Sequence, residues 1–480
     1  NHNLNLSAAD RVVFTGTSSD LRVSVPVDRR ASSQKDCSTS IYRGYFSSSI
    51  TIQHHAALCV HHRYKVRLVF CEAFIYENKD RSTLYLEIPE NNPDISRYNR
   101  GMIQRNDYLN RLSIAIGRSP VTALLGPRQC GKTTLARQLA EQQLSTFFDI
   151  ESLPDRRRLQ NPELMLGNLN GLVVLDEIQE MPELFQVLRV LVDRPENHAR
   201  FLILGSASPE IVKSASETLA GRLEFIELQG FNLSETGASA LNTLWMRGGF
   251  PRSFLANSEA DSLAWREGFI RTFLERDIPQ LGINIPSVTM RRYWTMLAHY
   301  HGQTWNAAEI GRSMGYSDKT VRSYLDILTG TFMIRQLQPW FENLGKRQVK
   351  APKIYFRDTG LLHSLLDIPD SHSLYGHPKV GASWEGFALE QTLQILHPNA
   401  AYFWGTHAGA DIDLAFQMNG KRYGIEFKFS EAPSLTPSMR IAVTELSLDH
   451  LWIVYPGNEA YPVTEKISAL PLKKLESIPG

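Results

Sequence analysis

An α/β fold follows from three features of the 480-residue sequence. The loop GPRQCGKT, from Gly126 to Thr133, stands between the apolar run VTALL and the helix-forming run TLARQLAE, and two further apolar runs, GLVVLDE and FLILGSAS, come after it. Near the carboxyl end, Asn419-Gly420 separates ADIDLAFQM from KRYGIEFKF, in which apolar and polar residues alternate. Buried strands that each precede a helix predict a parallel sheet with helices on both faces. The Asn-Gly reversal predicts a second α/β region built on an antiparallel pair. Between the two, the sequence predicts a helix-turn-helix with a strand as its wing.

Length and composition set the outer bounds. An apolar content of 42% over this length suffices for about three domains. With 51 basic against 50 acidic side chains and a net charge of +1, no global field draws the chain to nucleic acid or an anionic membrane. No apolar run approaches the about 18 residues of a spanning helix, so the expectation is a soluble, cytoplasmic protein. Cys37, Cys59, Cys71 and Cys130 form no C-x-x-C pair, which predicts reduced, unpaired thiols.

Residues 1–101 differ from the rest. They open on Asn, crowd serines between Ser32 and Ser49, and hold three of the cysteines. Pieces such as LRVSVPV and RYKVRLVFCEAFIY read as strands of a small accessory module. Their composition favours the other reading, a poorly ordered or non-native extension preceding a true start at Met102.

The first region, 102–240, carries the phosphate chemistry. In G-x-x-x-x-G-K-T the glycines let backbone N–H groups face phosphates, the lysine neutralises the β and γ oxygens, and the threonine hydroxyl holds Mg²⁺ at a helix N-terminus. This is a P-loop for ATP, in which Gly126, Pro127, Arg128, Gln129, Cys130, Gly131, Lys132, Thr133 and Thr134 line the nucleotide. GLVVLDE ends in Asp176, which completes the Mg²⁺ shell with Thr133, and Glu177, which activates the attacking water. In FLILGSAS, Ser206 and Ser208 stand where a hydroxyl senses the γ-phosphate or simply caps a helix. Arg222, in LAGRLEF, reaches a γ-phosphate in its own or a neighbouring subunit, or forms a surface ion pair.

The second region, 241–345, contains WNAAEIGRSMGYSDKTVRSYLDIL, two short helices capped by Asn306 and Ser317 and broken at Gly315. Its core is Ile310, Met314 and Leu325, and FMIRQLQPW supplies the wing. As a DNA reader it would present Lys319, Thr320 and Arg322, with Lys346, Arg347, Lys350 and Lys353 on phosphates. Such a motif serves equally as a lid or a protein contact.

In the third region, 346–480, a two-residue turn at Asn419-Gly420 pairs Met418 with Lys421 and, further along, Asp413 with Glu426 and Asp411 with Lys428. Those four charged residues are expected on one face, with Ile412, Leu414, Phe416, Ile425, Phe427 and Phe429 on the other. Adjacent carboxylates repel unless something compensates. A divalent cation on Asp413 and Glu426, with Lys428 orienting a water or a phosphate oxygen, is one solution. A solvated strand pair screened by Lys428 is the other.

The blocks LLGPRQCGKTTLA, LDEIQEMPELF, LGSAS, LAGRLEFIEL, RGGFPRSFLA, FLERDI, KRQVKAPKIYFRDTGLL and WEGFALEQ, in this order, resemble prokaryotic AAA-type ATP-binding proteins with a C-terminal domain of unknown function. The resemblance spans 102–480. The D…E-x-K arrangement resembles the PD-(D/E)XK restriction-endonuclease-like fold, with Ile-Asp here in place of Pro-Asp. That resemblance implies a further acid from an upstream helix, Glu385, with Glu390 as the fallback. It makes Lys428 a catalytic residue beside Lys132 and Glu177, and Asp413, Glu426 and Glu385 metal ligands. The combined expectation is a Mg²⁺-dependent ATPase coupled to a nuclease-like domain that binds or cleaves nucleic acid. Its alternatives are an interaction or signalling ATPase with an inactive nuclease fold, and an ATP-dependent DNA-binding regulator. ATP, nucleic acid and a second copy of the chain are the partners this admits.

Overall fold

The computed structural model describes residues 103–196, 198–206, 215–340, 351–406 and 409–478, together with the backbone of five strands in the first hundred residues. The chain divides into two compact units, Asn1–Met102 and Ile103–Gly480. In the first, β1 (Val13–Thr17) pairs with β2 (Asp20–Ser24), and β4 (Lys65–Glu77) pairs antiparallel with β3 (His54–His62) and β5 (Leu84–Glu87). Strands therefore run through LRVS of the first expected piece and KVRLVFCEAFIY of the second. The expected poor order concerns residues outside those described. Ser208, Lys346, Arg347 and Lys350 also lie outside them.

The second unit opens with the helix Asn106–Arg118, whose Tyr108, Leu112, Ala115 and Ile116 fall on one stripe and are buried. A five-stranded parallel sheet comes next. Its strands are β6 (Val121–Gly126), β7 (Ser145–Asp149), β8 (Gly171–Asp176), β9 (Ala199–Ser206) and β10 (Leu223–Glu227), in the spatial order β10-β6-β9-β8-β7. Every residue of β6, and all of β8 after Gly171, is buried, as a parallel sheet covered on both faces requires. This order sets the carboxyl ends of β6, β9 and β8 side by side, with Gly126 paired to Ser206 and Asp149 to Asp176.

A helical region continues the unit. The helix Glu259–Thr272 runs into a π-helical segment, Phe273–Asp277, and the helix Ser287–His299 packs behind it. The two short helices expected in this stretch run Ala307–Met314 and Asp318–Gly330. Asn306 accepts from Glu309 N–H, Ser317 accepts from Thr320 N–H, and Gly315 has φ 75°. Ile310, Met314 and Leu325 are buried, as expected. Gly311 is required there, because a Cβ would lie 2.8 Å from the Tyr316 carbonyl oxygen.

The remaining strands of this unit form one nine-stranded sheet. β11 (Gln303–Thr304), β12 (Ile334–Pro339), β13 (Lys353–Phe356), β14 (Ala401–Gly405), β15 (Asp411–Met418), β16 (Lys421–Phe427), β17 (His450–Tyr455), β18 (Tyr461–Thr464) and β19 (Ile467–Pro471) lie in the order β11-β13-β12-β14-β15-β16-β17-β19-β18. The strand expected as a wing, β12, pairs antiparallel with β13 and parallel with β14. The boundary expected at 345/346 therefore cuts through a single sheet.

The hairpin has the expected register: Met418 faces Lys421, and Leu414 faces Ile425. Asn419 and Gly420 both have positive φ, 51° and 76°. The expected apolar face needs one correction. Leu414, Phe416, Ile425 and Phe427 share a core, but Ile412 belongs to a second core with Trp404, Ala415 and Ile453. The cause is a register shift of β15 against β14 between Tyr402 and Trp404, a bulge that inverts the alternation. Phe429 is half-exposed, stacked on Tyr375.

Candidate functional site

The loop after β6 is built for close approach. A Cβ on Gly126 would lie 2.1 Å from the Leu228 carbonyl oxygen, and Gly131 takes φ 101°, which an L side chain resists. The loop then enters the helix Lys132–Ala140. Lys132 is buried, and its Nζ donates to the carbonyls of Gly126 (3.0 Å) and Pro127 (2.9 Å). Thr133 Oγ1 donates to Asp176 Oδ2 at 2.8 Å. Burial, opposed by that hydrogen bond and reinforced by Glu177 and Asp149, pushes the Asp176 carboxyl up to about 6. A hydroxyl and a carboxylate oxygen converging here are hard donors suited to Mg²⁺, which takes few protein ligands and keeps phosphate and water oxygens. Thr133 and Asp176 would hold it.

Glu177 follows Asp176 in a left-handed conformation, φ 57° and ψ 52°. Its N–H donates to Asp176 Oδ1 at 3.1 Å, and its carboxylate accepts from Gln179. Cys130 is buried, Gln129 is exposed with φ 64°, and Thr134 is exposed. Ser206 ends β9 beside Gly126. Arg128 does not stay within the loop: its guanidinium pairs with Asp277 of the π-helical segment at 3.2 Å and donates to Gln280.

Of the readings open for Arg222, the surface ion pair is the one this chain forms. Leu223 pairs with Val121 at the amino ends of β10 and β6, so Arg222 stands a strand's length, roughly 15 Å, from the phosphate loop. Its guanidinium is held by Asp193 on the surface, at 2.7 and 2.8 Å. Arg105, by contrast, was not flagged by the sequence. It is buried, donates to the carbonyls of Cys130 (3.2 Å) and Gln229 (2.9 Å), and pairs with Glu235, so it braces the loop from behind.

A second polar centre lies at the hairpin. Asp413 Oδ2 accepts from Phe427 N–H at 3.0 Å, and Lys428 Nζ lies 2.6 Å from Glu426 Oε1. Glu385, on the helix Val380–Leu396, accepts from Tyr355 at 2.5 Å. The sequence-predicted Asp413, Glu426, Lys428 and Glu385 are thus brought together, whereas Glu390 is bound instead to Arg335. The member not expected here is Lys353, which the sequence placed on nucleic-acid phosphates and the fold buries in this centre. Its Nζ lies 3.1 Å from Asp413 Oδ1 and 3.7 Å from Glu385 Oε1.

Burial alone would lower the Lys353 pKa, but Asp413, Glu385 and Asp411 more than offset it and raise it. Burial, followed by the charge of Asp413, raises Glu385 and Glu426 above the usual carboxylate range. Among the described residues no group of three or more His, Cys, Asp or Glu could hold a metal ion. An ammonium from β13, that of Lys353, stands beside Asp413 and Glu385, two of the three residues expected as metal ligands with Glu426.

The expected nucleic-acid contacts are dispersed. Lys319 and Thr320 line a groove with Leu281, Ile283, Ile285 and Ile327, while the Arg322 guanidinium lies 4.2 Å above the Trp305 ring.

Residues 118–237 match the model of an AAA domain, and 238–372 and 380–475 match two domains of unknown function, DUF8612 and DUF4143. The chain is 52% identical over 374 residues to Uncharacterized protein Rv2008c of Mycobacterium tuberculosis and to Uncharacterized protein Mb2031c of Mycobacterium bovis, covering 78% of this chain and 85% of each relative. Among solved structures, the Walker-type ATPase of Pyrococcus abyssi is similar over 55% of this chain and 96% of its own, at 15% identity and a TM-score of 0.41. A STAND protein with a tetratricopeptide repeat sensor, from Pyrococcus horikoshii, matches over 62% of this chain and 45% of its own, at 13% identity and a TM-score of 0.21.

Proposed function

Starting from a chain that belongs to the family of these mycobacterial proteins and carries an AAA domain, we propose that it hydrolyses ATP with Mg²⁺. The observation that carries this reading is the convergence of Lys132, Thr133, Asp176 and Glu177 on the loop after β6. Lys132 is already bound to two loop carbonyls, so phosphate oxygens need only replace neutral acceptors. Bound Mg²⁺ would supply charge neutralisation between the β- and γ-phosphates. Glu177 accepts the proton of the attacking water. Lys132→Ala in the full chain, assayed for phosphate release with Mg²⁺ and ATP, is expected to lose turnover. A variant that keeps the wild-type rate would refute the reading.

For the carboxyl-terminal centre the favoured reading is the alternative one, a nuclease-like face that does not cut. The supporting observation is Lys353, which supplies from within the chain the positive charge a metal would have brought. ATP turnover would then act on a bound partner through the contact of Arg128 with Asp277. Incubation with single- and double-stranded DNA and RNA, Mg²⁺ or Mn²⁺, with and without ATP, should leave all four intact. Degradation that disappears in Glu426→Ala and Lys428→Ala would restore the cutting assignment.

A further inference from the structure

We propose that Gln179 aligns Glu177 and shares with it the water that attacks the γ-phosphate. The inference rests on the ATPase reading and adds a residue to it. Glu177 is a non-glycine residue with φ 57° and ψ 52°, a conformation in which its Cβ crowds the following carbonyl oxygen. Chain geometry here is thus set against local preference, and the 3₁₀ turn Ile178–Glu180 brings Gln179 back over the Glu177 carboxylate. Gln179 Nε2 donates to Glu177 Oε2. The orientation of the amide is dictated by chemistry, because an ionised carboxylate only accepts and must face the NH₂ end.

The consequence falls on the other end. Gln179 Oε1 is buried and has no hydrogen-bond partner among the described residues. A buried carbonyl without a donor forfeits its hydration with nothing in return, so its presence beside a strained residue calls for a donor from outside the chain. Its location fits a water at the phosphate. The amide lies against the end of β9, where a Cβ on Gly205 would be 3.3 Å from Oε1, and Gln179 lines the same cleft as Pro127 and Arg128 of the loop.

Glu177 and Gln179 then offer one acceptor each to the two hydrogens of a single water, whose lone pair is left for phosphorus. In the step, the water oxygen bonds to the γ-phosphorus and the bond from that phosphorus to the bridging oxygen breaks. ADP leaves with the electron pair. The proton passes to Glu177.

The test compares wild type, Gln179→Ala and the isosteric Gln179→Glu as full chains. It reads kcat and KM for ATP with Mg²⁺, and the Kd of a fluorescent ATP analogue by titration. Gln179→Ala is expected to lower kcat at least tenfold while KM and Kd stay within twofold. Gln179→Glu should lower kcat and also move the acid limb of its pH profile upward, because a second carboxylate beside Glu177 favours the proton. A kcat within twofold of wild type in either variant overturns the proposal, as does a Kd that rises in step with the loss of kcat. A wild-type chain that binds but does not hydrolyse ATP removes the ATPase reading itself.

Discussion

Replacing Lys353 by methionine removes the ammonium that lies 3.1 Å from Asp413 and 3.7 Å from Glu385, and leaves the carboxylates in place. The side chains of Lys353 and Asp413 are only 10% and 8% exposed, so water screens the loss poorly. Breaking a buried ion pair from one side costs about 3–5 kcal/mol. At roughly 2 °C per kcal/mol for a unit of this size, the thermal midpoint should fall by roughly 6–10 °C. Adding Asp413→Asn to Lys353→Met should recover most of this, since it removes the stranded charge as well. Nucleotide-free Mn²⁺ should protect the single variant more than the wild type, by about 2.7 kcal/mol when it exceeds its Kd a hundredfold. A Lys353→Met protein within about 1 kcal/mol of wild type in urea unfolding, or one that Mn²⁺ protects no more than wild type, would refute internal compensation.

The loss of turnover in Lys132→Ala and the split between kcat and Kd in the Gln179 variants test the nucleotide site. The absence of cutting with Mg²⁺ or Mn²⁺ tests the second centre. A further test concerns His363, fully buried between Met246 O (3.0 Å) and Ser383 Oγ (2.7 Å). Burial lowers its pKa to about 3. The unfolded chain therefore binds the proton first, and stability from this group, complete above the ordinary value of about 6.5, is lost as pH falls. Between pH 7.5 and 5 the loss is about 2 kcal/mol. His363→Gln, which cannot take up that proton, should cost about 2 kcal/mol less at pH 5 than at pH 7.5 by urea unfolding. A cost independent of pH would contradict the burial argument.

What the sequence disclosed was local. The P-loop, the caps at Asn306 and Ser317 and the register from Asn419-Gly420 each depend on residues within a few positions of one another. What it concealed was long-range. Lys353 meets Asp413 across sixty positions because β12 joins β13 to β14 and β14 pairs with β15, and no spacing rule reports that. Ile412 changed sides because a bulge against β14 is invisible from the hairpin alone. Arg222 looked available for phosphate, yet the direction of β10 carries it to the far end of the sheet. Gln179 lay inside the LDEIQE block and was passed over, since an amide two residues after Glu177 has no motif to announce it.

The nine-stranded sheet has an inheritance of its own. β12 belongs to one matched domain and β14 to the next, and Trp340 N–H closes the seam on the Phe403 carbonyl at 2.7 Å. Two modules that sequence comparison counts separately are halves of one plank, and splitting the chain near 376 would leave each with a raw edge searching for its other half.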